Sequence, residues 1–294
     1  MVDLGRVMTA MVTPFKADLS VDYKKAEELA KYLVENGSDG LVIHGTTGES
    51  PTLTHEEEYE LYRVVKKAVS GKAKVVAGTG SNSTATTVKS TKEAEKIGVD
   101  AAMIVVPYYN KPSQEGLYQH YKAVAQSTKL PIIIYNIPGR TGINMLPATV
   151  ARLAKDFKNI MGLKDAAGNP EQTKATKELV PDDFIIWSGD DGMTLPMMKV
   201  GAVGVISVAS HLVGREIAQM VSAFHSGDVK KAEEIHDRLM PIFKVLFITA
   251  NPTPVKAALE MVGKPAGKLR LPLIEANDSE KEQIREVLKG LGVL

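Results

Sequence analysis

The chain contains the runs Met103-Ile-Val-Val106 and Ile132-Ile-Ile-Tyr135, in which almost every side chain is apolar. A strand with one solvent-exposed face alternates apolar and polar residues, whereas a parallel strand that is covered on both faces is apolar throughout. The two runs therefore predict buried parallel strands. With six further runs of this kind, the predicted strands are Val7–Val12, Gly40–His44, Lys74–Gly78, Ala101–Val106, Pro131–Asn136, Ile160–Asp165, Phe184–Ser188 and Gly204–Val208.

Helical patterns separate these strands, which begin about 20 to 35 residues apart, as β-crossover-β units require. Thr54 and Ser83 stand where helix N-caps belong, and Gly37 and Gly98 follow two helix ends. Eight strand–helix units predict an α/β fold, a (β/α)8 TIM barrel, with a doubly wound open sheet as the alternative. The predicted helices are Tyr23–Asn36, His55–Ser70, Thr84–Ile97, Gln114–Ser127, Pro147–Phe157, Glu171–Val180, Met193–Val200 and Arg215–Ser226.

Three further helical patterns follow the last predicted strand, and no strand pattern accompanies them. They are Asp228–Ala250, Pro254–Val262 and Ser279–Leu291. The sequence therefore predicts a barrel domain over residues 1–226 and a small C-terminal helical domain over residues 227–294.

The composition is that of an ordinary globular protein, with 44% hydrophobic and 24% charged residues. A formal net charge of +1 provides no field that would attract nucleic acid or an anionic membrane, so neither partner is expected. The chain has no cysteine and its six histidines are dispersed, so no disulfide, cysteine nucleophile or metal site is expected. The absence of a signal-peptide pattern and of any apolar run near ~18 residues predicts a cytoplasmic protein.

One lysine stands out in Asn159-Ile-Met-Gly-Leu-Lys164-Asp-Ala-Ala-Gly168, a short apolar strand that ends at a glycine turn. Alternation places Ile160, Gly162 and Lys164 on one face of the strand. If that face looks inward, burial shifts the amine toward its neutral, nucleophilic form, as a Schiff-base lysine requires. The alternative is a solvated lysine at a strand end.

Polar side chains gather at the carboxyl ends of the predicted strands, where barrel enzymes place their working groups. The second strand ends in Gly45-Thr46-Thr47-Gly48, which could bind a carboxylate through backbone N–H groups or be an ordinary tight turn. A phosphate loop would continue with Lys and Ser or Thr, and here Glu49 follows. Arg140 lies in a glycine-flanked loop, where it could clamp a carboxylate or pair with a surface acid.

Three motifs in this order resemble one enzyme family: Gly45-Thr-Thr-Gly-Glu49, Tyr135-Asn-Ile-Pro-Gly-Arg-Thr-Gly142 and the strand ending in Lys164. The match spans about Val7 to Pro272 and includes Pro107-Tyr-Tyr-Asn-Lys-Pro-Ser-Gln-Glu-Gly-Leu-Tyr118. The chain resembles the pyruvate-dependent class I aldolases (the N-acetylneuraminate lyase superfamily), and within them the 4-hydroxy-tetrahydrodipicolinate synthase, or dihydrodipicolinate synthase, family. The resemblance implies a TIM-barrel lyase that condenses pyruvate with L-aspartate 4-semialdehyde in lysine and diaminopimelate biosynthesis.

The resemblance also implies catalytic roles for four residues. Lys164 is similar to the lysine that forms an imine with pyruvate, so that no cofactor is needed. Tyr135 resembles the general acid/base, with Thr46 and Tyr109 as its partners in a hydroxyl relay, and each hydroxyl can donate and accept in turn.

Three further residues match substrate-binding positions of the family. Thr47 would hold the pyruvate carboxylate, Arg140 the carboxylate of the semialdehyde, and the carbonyl of Ile206 would lie near the attacking centre. In the family, the tyrosine matched by Tyr109 reaches into the neighbouring subunit, which implies a homotetramer built as a dimer of dimers. Three other polar residues are assigned structural rather than catalytic roles: Glu49, Asn136 and Asp190.

Regulated members of the family bind lysine near the dimer interface. The matching positions here are Ser50, Pro51, His55, Glu58, Asn82, Thr86 and Tyr108. Well-regulated members carry a histidine where Glu58 stands and a glutamate where Thr86 stands. A threonine hydroxyl cannot neutralise the ammonium group of lysine as a carboxylate does, so weak or absent feedback inhibition is predicted.

Two other functions remain open from the sequence. A sister aldolase, such as N-acetylneuraminate lyase or a 2-keto-3-deoxy-sugar-acid aldolase, shares the lysine and tyrosine, but Arg140 argues against the sialic acid enzyme, whose loop lacks that arginine. A non-catalytic barrel that acts as a scaffold or sensor would not need Lys164, because only a reaction uses a nucleophile.

Overall fold

A computed structural model describes residues 3–264 and 266–294, so Met1, Val2 and Pro265 of the two predicted domains lie outside the described residues. Eight strands follow one another in the order β1 to β8 around a closed barrel, and all registered pairs are parallel. The predicted TIM barrel is confirmed, and the doubly wound open sheet is excluded. The strands are β1 Val7–Ala10, β2 Gly40–Ile43, β3 Lys74–Gly78, β4 Ala101–Val105, β5 Ile132–Asn136, β6 Ile160–Asp165, β7 Ile185–Ser188 and β8 Gly204–Ser207.

Helices lie between the strands and follow the last of them. Within the described ranges they are α1 Tyr23–Glu35, α2 His55–Val69, α3 Thr84–Ile97, α4 Gln114–Ala125, α5 Pro138–Thr141, α6 Pro147–Asp156, α7 Pro170–Leu179, α8 Thr194–Met198, α9 Ser210–His225, α10 Val229–Val245, α11 Thr253–Met261 and α12 Asp278–Gly290. The described residues also form two short 3-10 helices, Ser50–Thr52 and Asp191–Met193. No helix of this part of the chain combines the length and the apolar character that a membrane crossing needs.

The predicted helix caps are confirmed in detail. Thr54 accepts a hydrogen bond from the backbone N–H of Glu57, whose carboxylate accepts from the N–H of Thr54, so the pair forms a capping box. Ser83 caps α3 by accepting a hydrogen bond from the backbone N–H of Thr86. Gly98 ends α3 with φ +85°, a conformation that glycine adopts without steric cost.

Three local predictions were wrong. The helix predicted over Asp228–Ala250 begins at Val229 and ends at Val245. The segment around Arg140, predicted as a loop, forms the single-turn helix α5. Helix α9 begins at Ser210 rather than at Arg215, and it contains a residue of non-helical geometry, Val213. A side chain on the following Gly214 would collide with the carbonyl oxygen of Asn36, so the glycine marks a close approach of two backbones and not the start of a helix.

The chain divides into two compact units, each formed by two segments. The first unit comprises Met1–Arg6 and Val75–Ile206, and the second Val7–Lys74 and Ser207–Leu294. The predicted boundary at residue 226 stays a prediction.

Each unit buries its own apolar core. In the first unit, side chains such as Ile104, Leu117 and Leu153 form one cluster between the strands and helices α4, α6 and α8. In the second unit, helices α9 and α10 pack together, and the buried Thr9 hydroxyl contacts the hydroxyls of Ser38 and Ser210 at 2.6 and 2.7 Å. Burial of the strands on both faces explains why their sequences lack alternation.

Candidate active site

Lys164 is the fifth residue of β6, and only 5% of its surface is exposed. Its neighbours in register are Tyr135 of β5 and Trp187 of β7. The Lys164 Nζ lies 4.4 Å from the centre of the Tyr135 ring. The amine is therefore inside the first unit against an aromatic wall, and the alternative of a solvated lysine does not apply.

Two glycines permit the close packing of β6 and β7, and one of them borders the lysine itself. A Cβ on Gly189, directly after β7, would lie 3.2 Å from Lys164 Cε and 2.7 Å from the Cβ of Ala166. A Cβ on Gly162 would lie 2.7 Å from the Trp187 ring. Contacts below 3.0 Å force neighbouring atoms to shift, so both positions require glycine in this packing.

The surroundings of Lys164 change its basicity. Burial is the largest cause and lowers the pKa of Lys164; the negative charge of Asp191 opposes this, the positive charge of Arg140 adds to it, and the pKa is about 8. At pH 7 about one amine in ten is then neutral, compared with about one in three thousand at the ordinary value of 10.5. Because only the neutral amine attacks a carbonyl, the site increases the reactive fraction by more than two orders of magnitude.

Asp191 is a buried carboxylate that sequence reasoning missed. It begins the 3-10 helix after β7 and is 2% exposed, and its negative charge acts on Lys164. The sequence shows Ser188-Gly-Asp-Asp at a strand end, and only Asp190 was assigned a role there. The signal available was its place three residues after β7, the strand that pairs with the lysine strand.

Arg140 lies on α5, directly after β5. Pro138 opens this helix at a position where its missing N–H is no loss, and Gly142 closes it with φ +73°. Thr141 further fixes the turn because its hydroxyl donates to the carbonyl of Ile137 at 3.0 Å. Arg140 itself is exposed, yet its charge acts on Lys164, so it is available for an anionic ligand that approaches the lysine.

Tyr109 and Ile206 occupy very different surroundings. Tyr109 follows β4 with φ +74° and is 88% exposed, an unusual backbone conformation for a tyrosine. Ile206 is buried in β8, one residue before that strand ends. The ring of Tyr109 therefore faces solvent in the single chain, whereas Ile206 belongs to the barrel wall.

The Gly45–Gly48 turn belongs to the second unit. Its backbone closes through bonds from the Gly48 N–H to the Gly45 carbonyl and from the Glu49 N–H to the Thr46 carbonyl, both 3.0 Å. The Thr13 hydroxyl donates to the Gly48 carbonyl at 2.6 Å, and Thr47 is 4% exposed. The turn is thus a rigid, mostly buried element, with Thr46 more accessible than Thr47.

Comparisons with known proteins agree over the whole chain. The model of the dihydrodipicolinate synthetase family matches residues 3–291. The chain belongs to the dihydrodipicolinate synthetase family. The 4-hydroxy-tetrahydrodipicolinate synthases of Desulforamulus reducens and Moorella thermoacetica are 56% and 58% identical to it, over 100% and 99% of this chain and 99% of each relative. A crystal structure of the family enzyme from Cyanidioschyzon merolae with lysine bound is 50% identical and superimposes with a TM-score of 0.98, covering 99% of both chains.

The family positions for lysine binding are divided between the two units. In the second unit Glu58 is 1% exposed. Its carboxylate accepts a hydrogen bond from the Tyr62 hydroxyl at 2.8 Å, and its other oxygen lies 2.9 Å from His55 Nδ1. Ser50 and Pro51 begin the adjacent 3-10 helix. Glu58 is therefore already engaged with its own neighbours.

The remaining three family positions lie in the first unit. The Asn82 carbonyl accepts from the Asn110 side chain at 2.9 Å, and Thr86 stands in the first turn of α3. Tyr108 is partly exposed, next to Tyr109. The roles of all these positions in binding lysine stay a prediction.

The three polar residues assigned to structure make structural contacts. Asn136 joins β5 to the segment before α6, because it accepts from the Met145 N–H at 3.0 Å and donates to Asn144 at 2.8 Å. Asp190 caps the 3-10 helix after β7 through the N–H of Gly192 at 2.8 Å. Glu49 forms a buried ion pair with Lys256 in the second unit.

Proposed function

We propose that this chain condenses pyruvate with L-aspartate 4-semialdehyde to give 4-hydroxy-tetrahydrodipicolinate. The observation that carries the proposal is the buried Lys164, with its pKa lowered to about 8, beside the phenol-bearing Tyr135 on a parallel barrel. Relatives more than half identical over the full chain bear the name of this activity. The reaction belongs to the biosynthesis of lysine and diaminopimelate.

In the proposed mechanism the neutral Lys164 amine attacks the ketone carbon of pyruvate. Water leaves and a protonated imine forms, which acts as the electron sink, so the reaction uses no cofactor. A methyl proton is then lost to give the enamine, whose carbon attacks the aldehyde of the semialdehyde, and the aldehyde oxygen takes up a proton. The amino group of the second substrate finally attacks the imine carbon, closes the ring and releases Lys164, so that one water is formed overall.

Hydroxyl groups move the protons of these steps. Tyr135 acts as general acid and base next to the amine, and Thr46 and Tyr109 connect it to solvent. A tyrosine suits both directions because its hydroxyl donates and accepts. The proximity of the Tyr135 ring to the Lys164 amine supports this assignment.

Two carboxylates are recognised in the proposed complex. Thr47 and the backbone of its turn bind the carboxylate of pyruvate, and Arg140 binds that of the semialdehyde. A guanidinium suits a carboxylate because it donates two parallel hydrogen bonds. The Ile206 carbonyl lies near the attacking carbon.

We further infer a cytoplasmic homotetramer, arranged as a dimer of dimers. The exposed ring of Tyr109 and its strained backbone support a role in a neighbouring subunit, because residues in unusual backbone conformations gather at functional sites.

Trapping with pyruvate and borohydride tests the proposal directly. Reduction of the imine should attach one pyruvate-derived group to Lys164, found by peptide mass mapping, and Lys164→Arg should abolish it. Wild-type protein without such a group would contradict the Schiff-base mechanism. A coupled assay then compares aspartate semialdehyde with sugar aldehydes, and faster turnover of a sugar aldehyde would assign a sister aldolase activity instead.

A further inference from the structure

Asn251, which lies two residues before α11, contacts the proposed pyruvate-binding threonine. Its side-chain Nδ2 donates to the Thr47 hydroxyl oxygen at 2.9 Å, and both side chains are buried. An amide nitrogen can only donate, so Thr47 is the acceptor in this bond. The single proton of the Thr47 hydroxyl is then left for another acceptor, which is the polarity that binding a carboxylate requires.

The C-terminal segment of the second unit also fixes the residue that follows the turn. Glu49 has φ +57°, and its carboxylate lies 2.6 Å from the Nζ of Lys256, a residue of α11. The backbone N–H of Arg270 donates to the same carboxylate at 3.0 Å. Asn251 thus holds the side chain of Thr47, and Lys256 and Arg270 hold that of Glu49. These three residues form part of the support for the Thr47 hydroxyl.

We propose that Asn251 is a positioning residue for pyruvate, which acts by orienting the Thr47 hydroxyl so that its proton points to the substrate carboxylate. This inference rests on the proposed function. It assigns to the C-terminal segment a role in substrate binding, in addition to its packing in the second unit.

A double-mutant cycle between Asn251→Ala and Thr47→Val tests the proposal. The readout is the pyruvate concentration that gives half-maximal borohydride trapping, together with kcat and the KM for each substrate. Loss of a hydrogen bond to a charged group weakens binding about tenfold or more. Thr47→Val should therefore raise the pyruvate concentration for half-maximal trapping by about that factor.

In the wild-type background, Asn251→Ala should raise the pyruvate concentration for half-maximal trapping about three- to tenfold, since the orientation of one hydroxyl is lost. The KM for the semialdehyde should not change. In the Thr47→Val background the same substitution should have less than a twofold effect, because no hydroxyl remains to be oriented. Equal factors in the two backgrounds, or an equal rise for both substrates, would assign Asn251 a merely structural role and overturn the proposal.

Asn251→Asp provides a second cycle if the alanine variant does not fold. A carboxylate only accepts, so the Thr47 hydroxyl would donate its hydrogen bond to the new side chain instead of to the substrate. The effect of the added negative charge on pyruvate binding is measured separately in the Thr47→Val background. Asn277→Ala, which removes the exposed N-cap of α12, is the matched control for a general loss of stability and should leave both KM values unchanged. Normal trapping of wild-type protein with no coupling in either cycle would refute the positioning role alone, whereas no trapping at all would refute the proposed function.

Discussion

At the residue scale, the chemistry depends on how far burial lowers the pKa of one amine. Lys164 has its pKa lowered to about 8 by burial, and the neutral form is the nucleophile. Well below the pKa the neutral fraction rises about tenfold per pH unit; it reaches one half at the pKa and levels off about one unit above it. We expect the rate of imine formation, followed by borohydride trapping at limiting pyruvate, to increase with pH and to reach a plateau above about pH 8.

The substitution Asp191→Asn provides the control for this profile. Asp191 raises the pKa of Lys164, so the uncharged amide should shift the plateau to lower pH. The sign follows from charge, because a nearby carboxylate favours the protonated amine. A profile that still rises between pH 9 and pH 10 would show that the amine keeps its ordinary basicity.

Gly189→Ala tests the space that the lysine needs. The added methyl group would lie 3.2 Å from Lys164 Cε and 2.7 Å from Ala166 Cβ, so the amine should be displaced from its position. We expect trapping by pyruvate to fall at least about tenfold, as a displacement near 1 Å does in other active sites. Gly290→Ala, at the end of α12 where a Cβ meets no atom within 4 Å, should trap like wild type.

The sequence predicted the central residue of the site but not its electrostatic partner. Lys164 stands out because a charged side chain ends an apolar strand, and Thr47 because two hydroxyls stand between glycines. Asp191 has no comparable pattern, since its influence on Lys164 depends on the pairing of β6 with β7. The bond from Asn251 to Thr47 spans 204 residues of sequence and is invisible to any local pattern.

At the element scale, the strands and most helices were predictable because local signals and burial agree. Strands covered on both faces are apolar throughout, and capping residues such as Thr54 mark helix starts. The prediction failed where a glycine served packing. Gly214 lies against the backbone of Asn36, and the helix was predicted to begin only after it, at Arg215. The turn of α5 is too short to show a helical period.

The ion pair between Glu49 and Lys256 links the Gly45–Gly48 turn to α11. Both side chains are almost fully buried, and the Lys256 Nζ lies 2.6 Å from a carboxylate oxygen of Glu49. Glu49→Gln leaves the charge of Lys256 buried without its partner, so we expect the free energy of unfolding to fall by about 3–5 kcal/mol. Chemical denaturation measures the loss.

An exposed ion pair with the same N···O distance serves as the control for this prediction. Arg152 and Glu115 also lie 2.6 Å apart, but about half of each side chain is exposed. Glu115→Gln should lower the free energy of unfolding far less than Glu49→Gln does, because water screens the exposed pair. Equal losses for the two substitutions would contradict the view that burial, rather than distance, decides the contribution.

At the scale of the whole molecule, feedback by lysine depends on charges at the predicted regulatory positions. Thr86 offers a hydroxyl where regulated members carry a carboxylate, and the loss of such a contact costs about 1.5–3 kcal/mol. The Glu58 carboxylate is occupied by Tyr62 and His55. We therefore expect lysine to inhibit weakly or not at all in a steady-state titration, and Thr86→Glu to increase the sensitivity. Inhibition of the wild type at low-micromolar to sub-millimolar lysine would overturn this prediction.

The exposed Tyr109 predicts shared active sites in the assembly. The residue is 88% exposed and its backbone has φ +74°, so in a single chain Tyr109 faces solvent. If it completes the relay of a neighbouring subunit, Tyr109→Phe and Lys164→Arg should each be nearly inactive alone. In a hybrid dimer of the two, one site combines an intact Lys164 with an intact Tyr109. Random mixing after denaturation and refolding should then restore about a quarter of the wild-type sites, since half of the dimers are hybrids and each has one complete site.

The same mixture decides whether the tyrosine acts within its own chain. In that case every hybrid site would lack either the lysine or the tyrosine, and mixing would restore no activity. Refolding each variant separately and then combining them without exchange is the control, and it should remain inactive. Activity that appears only after exchange would establish that catalysis requires two chains, which gives the strained, solvent-facing conformation of Tyr109 its physical reason.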